Sequence, residues 1–511
     1  MKRIRRIKEK VVLNPIFSFC LLILGVVVLS GILTLFNVSA TYNEISSNGA
    51  YVKELVTVEN LFSLSGLKFI FSNAVSNFAS FTPLAMLIIT LFGIGIMDKS
   101  GFLDSLFYVL TRKISKRVVT FVLSLVCIIS SIGGDLSYII LIPIAALLFK
   151  YGKRNPKAGI ICAFASLSCG IGINIFINSI DSTLLGYTTS SANLLIKEYA
   201  IGTYSYLLVM LVAAISLAFI NTSITEKIIV PKLGKYEFLD EEEDYLTKRE
   251  KRGLLIASFA GMIYLLIFIY NIIPNAPLGG NLLDYHQTLY IDKLFGYNSF
   301  FNQGFVFVVT LLFVILGLSY GLATKSIKNQ KDFGEAIAYS LDGIGKILVL
   351  IFFASTLIFI IKKTNIGSVL TASFANIISN YEFTGIPLVL LLFVFSAVAT
   401  ILLPGSINRW AILSGGAVPT FMNAGLSPEF TTLVFRAGEC VTYGLTPIMA
   451  YFVIYLAFME LYSHEESEGI FGSIKYIIPY SIGTLIMWVV ILLLFYIIGL
   501  PLGFGAFPAL W

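Results

Sequence analysis

In the apolar segment 432–451, Arg436, Glu439, Tyr443 and Pro447 stand at i, i+3, i+7 and i+11, which is one face of a helix. A charge near the centre of a bilayer costs about 2.5–3.5 kcal/mol even on the gentler insertion scale, so each one needs a partner or a task. A purely structural Arg436–Glu439 ion pair would answer that cost. The chemistry open to the same residues is movement of an anion. Arg436 offers a carboxylate a fork of donors, Glu439 can take up and release a proton, and Pro447 breaks the helix beside them.

Other polar groups fall where lipid would not tolerate them. Asp135 closes the run Ser130-Ser131-Ile132-Gly133-Gly134-Asp135, where it reads either as a helix N-cap or as a site residue. Asp181 follows Asn174, Asn178 and Ser179, so oxygen ligands gather there that can line a polar path or hold a sodium ion. Ser406, Asn408, Arg409 and Trp410 come directly after Pro404-Gly405. An arginine and a tryptophan can sit at a membrane interface, but the neighbouring Ser406 and Asn408 favour a cavity. The five cysteines (Cys20, Cys127, Cys162, Cys169, Cys440) lie in apolar stretches without paired spacing and read as packing residues. His286 and His464 are the only histidines, so a histidine metal cluster is not expected.

The composition says what must position these groups. Of 511 residues 57% are apolar and 13% charged, against about 25% charged in soluble domains, and the mean hydropathy is +0.89. This is an all-α integral membrane protein, which excludes a secreted disulfide scaffold, a disordered chain and a cytosolic enzyme. The net charge of +6 lies in short basic runs between apolar segments, so it reports topology rather than nucleic-acid binding.

About 20 apolar residues span a bilayer, and nine stretches qualify: 14–36, 82–98, 158–180, 200–221, 254–274, 301–322, 341–361, 430–460 and 476–498. Residues 1–13 hold six basic residues and are expected in the cytoplasm ahead of a retained first span, not a cleaved signal. The loops with Arg112, Lys113, Lys116 and Arg117, and with Lys150, Lys153, Arg154 and Lys157, mark the same side. The charged segment 222–252 is expected to be a cytoplasmic linker between a first half, 14–221, and a second, 253–511. Segments 40–65, 99–111 and 463–474 are amphipathic or polar and are expected on the surface.

The 32 residues of 118–149 lie between two basic loops of the same side. They are too many for one span and too few for two with a turn, which take roughly 44. A re-entrant hairpin with its tip near Gly133-Gly134 satisfies both constraints. A second such hairpin is expected over 385–424, broken at Pro404-Gly405. Each is followed by an interrupted helix, at Cys169-Gly170-Ile171-Gly172-Ile173-Asn174 and at Gly444-Leu445-Thr446-Pro447. Counting spans puts the hairpins on opposite sides, as in an inverted repeat that holds substrate and ions at its midplane interface.

The chain resembles the AbgT family of p-aminobenzoyl-glutamate transporters in the ion-transporter superfamily. The likeness rests on Ser80-Phe81-Thr82-Pro83-Leu84 with Gly93 to Gly101, on Asp135-Leu136-Ser137-Tyr138, on Ile180-Asp181-Ser182-Thr183-Leu184-Leu185, and on Arg409-Trp410-Ala411-Ile412-Leu413 with Ser427-Pro428-Glu429 and Arg436-Ala437-Gly438-Glu439. It implies a homodimeric inner-membrane carrier of nine spans and two re-entrant hairpins, moving an aromatic-amide glutamate or folate-related anion, or exporting sulfonamides. Matched position by position, it points to Asp181, Thr400, Trp410, Pro428, Arg436, Glu439 and Pro447. The family usually has Asp at Glu439, Asn at Thr400, and Ser-Ala-Ser-Ala-Lys where this chain has Gly405-Ser406-Ile407-Asn408-Arg409.

The expected function is secondary active transport of a carboxylated organic anion by alternating access. It needs no cofactor beyond a coupling ion, a proton first and sodium near Asn174 and Asn178 second. A sodium-coupled C4-dicarboxylate or amino-acid carrier is the alternative within the superfamily. A membrane-embedded transferase would need clustered acids or a nucleophile with a base, and the sequence offers neither.

Overall fold

The structure, a computed structural model, describes residues 13–511 except 46–50, 113, 176, 203, 235, 237–245, 289, 297, 381–382, 404, 464–466 and 511. The basic run 1–12, the acidic run 240–244, Pro404 and His464 therefore lie outside the described residues.

Helix α1 (Pro15–Leu35) starts with Pro15 at its first position behind an Asn14 cap. It leads into an antiparallel ribbon of β1 (Ser39–Ile45) and β2 (Tyr51–Thr57), with Ser39 opposite Thr57. Then come α2 (Leu64–Ala79), α3 (Thr82–Lys99) and the amphipathic α4 (Phe102–Arg112). A 3-10 turn, Ser130–Gly133, joins α5 (Lys116–Ile129) to α6 (Asp135–Tyr151). Helix α7 (Pro156–Cys169) stops at its cysteine, and non-helical backbone separates it from α8 (Ser179–Ala192). Helix α9 (Leu207–Ile224) continues through a π-helical turn into α10 (Val230–Leu233).

The second half holds α11 (Lys248–Tyr270), α12 (Tyr290–Phe295), α13 (Phe300–Thr324), α14 (Gln330–Ala338), α15 (Ile344–Thr364) and α16 (Ile366–Asn380). After them α17 (Gly385–Leu402) and α18 (Ser406–Asn423) meet at a short non-helical tip. Helix α19 (Pro428–Thr442) then breaks before α20 (Phe452–Leu461), and α21 (Gly469–Ile498) ends the bundle. Each half thus repeats one order: helix pair, then interrupted helix.

Eight described helical stretches are long and apolar enough to cross a membrane. They differ from the nine expected spans in identifiable ways. Residues 158–180 and 430–460 are not continuous helices, because the glycine runs and Pro447 interrupt them, and α7 and α20 remain as short apolar pieces. Leu64–Lys99 forms one long stretch, and Gly385–Leu402 qualifies by itself. Helix α11 shows what surrounds the bundle. Leu255, Phe259 and Leu266 are all more than half exposed, an apolar face that only lipid would cover. The chain is 75% helical. The ribbon was not expected: 40–65 alternates β-branched and aromatic residues, a strand pattern overlooked beside the long helical runs.

Both tips need glycine. Gly134 takes φ 54° and Gly405 φ 98°, values that side-chain-bearing residues rarely adopt. Gly438 serves closeness instead. A Cβ there would collide with the Phe393 carbonyl oxygen and with Ser396, so α17 and α19 touch backbone to backbone. Gly438→Ala is expected to destabilise the bundle by about 1–3 kcal/mol through overpacking. Thermal unfolding of the detergent-purified protein checks this, and an unchanged midpoint would mean that the helix pair yields freely.

Candidate substrate and coupling site

A continuous polar chain joins the two tips through the first helix break and α19. At the first tip, the Ser131 hydroxyl donates to Asn174 Oδ1 at 2.5 Å. Asn174 Nδ2 donates to Asp181 at 2.7 Å, and Asn178 caps α8 by accepting from the Asp181 backbone N–H at 2.9 Å. Asp181 pairs with Arg436 at 3.2 Å. Arg436 also donates to the Ile171 carbonyl at 2.7 Å, to Ser406 at 3.3 Å and to Glu439 Oε2 at 2.6 Å. Glu439 Oε1 receives Arg409 and the Ser406 hydroxyl. Arg409 finally donates to the Leu403 carbonyl at the second tip.

Local structure explains why these groups meet. A helix that ends early leaves carbonyls without intrahelical donors, and the guanidiniums of Arg436 and Arg409 take up those of Ile171 and Leu403. Arg409 and Glu439 have no solvent exposure, Arg436 has 4%, and the Asp181 side chain has 17%. Two cations and two anions cancel, which suits a buried cluster. Asp181 and Arg436 border a narrow cleft, with Tyr204, Tyr206 and Thr432 on its walls.

Three of the sequence expectations need correction. Arg436 does not hold a free fork, since both terminal nitrogens are engaged within the protein. Nor do Arg409 and Trp410 face a cavity, for both are fully buried. Trp410 packs on Phe435 and donates its indole N–H to Thr188 at 2.9 Å, and Thr188 shares a 2.8 Å hydrogen bond with Thr432. The expected single face over Arg436, Glu439, Tyr443 and Pro447 also ends early, because α19 stops at Thr442. Tyr443 begins a 3-10 turn and Pro447 lies in the non-helical stretch after it.

Of the other candidates, Thr400 is buried and its hydroxyl bonds back along its own helix to the Ser396 carbonyl at 2.7 Å. Pro428 is the first residue of α19, about two turns before Arg436. Asp135 is not an N-cap. Gly134 occupies that position, and Asp135 is exposed to a cavity. Asn408 lines the same cavity. The amides of Asn174 and Asn178 are already spent on Asp181 and Ser131.

That cavity holds about 430 Å³ and brings Asp135 of the first tip to Gly405 and Asn408 of the second, with Phe81, Phe359, Lys362, Tyr443 and Tyr451 around them. A second cavity of about 280 Å³ lies between Asp98, Lys150, Asp342 and Tyr462. Helices α3 and α6 run from the first cavity to the second and α15 runs back, about 22 Å along α6 at 1.5 Å per residue. Between them Leu87, Ile139, Ile142, Ile351 and Ala354 are buried.

Sequence reasoning missed Ser131 as a member of the chain, although it named the tip that carries it. It also missed Thr188 and Thr432, whose pairing joins distant helices and leaves no local signal.

Long lipid-facing helices around short buried helices that end at compensated charges, with two cavities among them, define a multi-pass membrane protein with a polar interior. The chain belongs to the AbgT transporter family, whose family model matches residues 1–510. It is 27% identical over 508 residues to the p-aminobenzoyl-glutamate transport protein of Escherichia coli K12, covering 99% of this chain and 96% of that one. Among solved structures, the YdaH transporter of Alcanivorax borkumensis is 26% identical with a TM-score of 0.48, covering 96% of this chain and all of its own. MtrF of Neisseria gonorrhoeae, described with a class of antimetabolite efflux pumps, is 28% identical with a TM-score of 0.49, covering 97% and 98%. The protein is thus a membrane transporter and not an enzyme.

Proposed function

We propose that the protein moves a carboxylated aromatic anion, p-aminobenzoyl-glutamate or an antimetabolite of similar chemistry, by proton-coupled alternating access. The polar chain from tip to tip carries this reading. It is a buried set of paired charges beside a cleft, and it can be rearranged only by breaking ion pairs. In this reading the helix pairs α5–α6 and α17–α18 are re-entrant hairpins of an inverted repeat, set among nine spans. The basic residues at the Lys150 end support a cytoplasmic side of an inner membrane for the smaller cavity and the N-terminus, and an outer side for the larger cavity. Asp181, the wetter carboxylate, exchanges protons with the cleft, and Glu439 takes them when its arginines separate. The relatives' names support the substrate class, and a homodimer follows from the family resemblance.

Uptake of labelled p-aminobenzoyl-glutamate into proteoliposomes, with proton and sodium gradients imposed separately, tests the proposal. The proton gradient is expected to drive accumulation, with C4-dicarboxylates failing to compete. Glu439→Gln is expected to keep substrate binding while losing the pH dependence of transport. Sodium-driven uptake, or inhibition by dicarboxylates, would move the protein to the alternative class.

A further inference from the structure

The charged side chains around the outer cavity are Asp135 and Lys362, and the lysine is uncommitted. Lys362 and Lys363 both stand in the last turn of α15, where the helix dipole favours cations. As neighbours on a helix they point about 100° apart. Lys363 turns to Glu59 and pairs with it at 2.6 Å. Lys362 lines the cavity, is exposed, and has no ion pair or hydrogen bond with any described residue. Both buried arginines, by contrast, already hold carboxylates and backbone carbonyls.

We propose that Lys362 is the residue that receives the substrate's carboxylate in the outer cavity. Phe81, Phe359 and Tyr443 supply apolar walls for an aromatic ring. The Asp135 carboxylate, at the first tip and lining the same cavity as Tyr451, repels an anion from that end and turns its charge towards the lysine. This assignment rests on the substrate class proposed above. It makes Lys362 a determinant of affinity and selectivity, while the buried cluster remains the coupling element.

The test is initial-rate uptake of p-aminobenzoyl-glutamate by the full chain in proteoliposomes, for wild type, Lys362→Gln, Lys362→Arg and Lys363→Gln. Loss of one charge-assisted contact is expected to raise KM at least about tenfold in Lys362→Gln, with the maximal rate within about twofold of wild type. Lys362→Arg keeps the charge and is expected to hold KM within about threefold, and Lys363→Gln is expected to match wild type. An unchanged KM in Lys362→Gln, with wild type active, would overturn the assignment alone. Absence of saturable uptake by wild type would overturn the substrate class and this inference with it.

Discussion

Arg436→Ala is expected to lower transport at least about 100-fold while folded protein is still recovered from the membrane. Arg436 is the node of the polar chain, the one residue bound to both carboxylates, to the Ile171 carbonyl and to Ser406. Its removal separates the first helix break from the second tip. The fold has ways to absorb the loss. Glu439 keeps Arg409 and Ser406, and Asp181, partly exposed at its cleft, can take up a proton and retain Asn174. A 100-fold effect corresponds to about 2.8 kcal/mol, the scale of one charge-assisted hydrogen-bond group. Arg436→Lys should recover little, since an ammonium cannot span two carboxylates in a fixed plane. Proteoliposome flux beside the yield of monodisperse protein checks this, and wild-type flux in the alanine variant would make the cluster a structural staple.

The second large effect falls on stability. Arg409→Met should cost about 3–5 kcal/mol, the range for removing one partner of a buried ion pair. Arg409 has no solvent exposure, and its loss leaves Glu439 Oε1 with the Ser406 hydroxyl as its remaining donor and the Leu403 carbonyl at the second tip without its guanidinium. Adding Glu439→Gln should restore part of the loss by removing the carboxylate left short of charge, although Leu403 stays unsatisfied. Thermal unfolding in detergent with the single and double variants reads this coupling directly. A single variant as stable as wild type would show that Glu439 needs only Arg436.

Much of this architecture was legible because lipid is an unforgiving solvent. A charge or a glycine pair inside an apolar run has few bland explanations, so Asp135, Asp181, Arg409, Arg436 and Glu439 stood out by type and place alone. The interrupted helices were visible for the same reason. What the sequence concealed was who holds whom. The i to i+3 spacing of Arg436 and Glu439 predicts their contact but not that Arg409 reaches the same carboxylate from another helix, or that Asp181 arrives from a third. That sharing decides the chemistry, because it removes Arg436 as a free substrate ligand and leaves Lys362 at the larger cavity. Trp410 misled in the opposite direction. Its neighbours Ser406 and Asn408 suggested a wet wall, but about one turn of helix carries Ser406 to the cluster, Asn408 to the cavity and Trp410 into the core. The ribbon was missed because a seven-residue alternation is a weak signal beside runs of twenty apolar residues.

The most direct measurement of the central claim is the aqueous accessibility of the two tips. Asp135→Cys and Asn408→Cys, each in a chain freed of its five native cysteines, are treated with a membrane-impermeant maleimide in intact cells. Both cysteines are expected to react, and p-aminobenzoyl-glutamate is expected to slow both, because one water-filled cavity holds the two tips. If either position stays unreactive under all conditions, or if they react only from opposite sides of the membrane, the tips do not share a chamber and the account is contradicted.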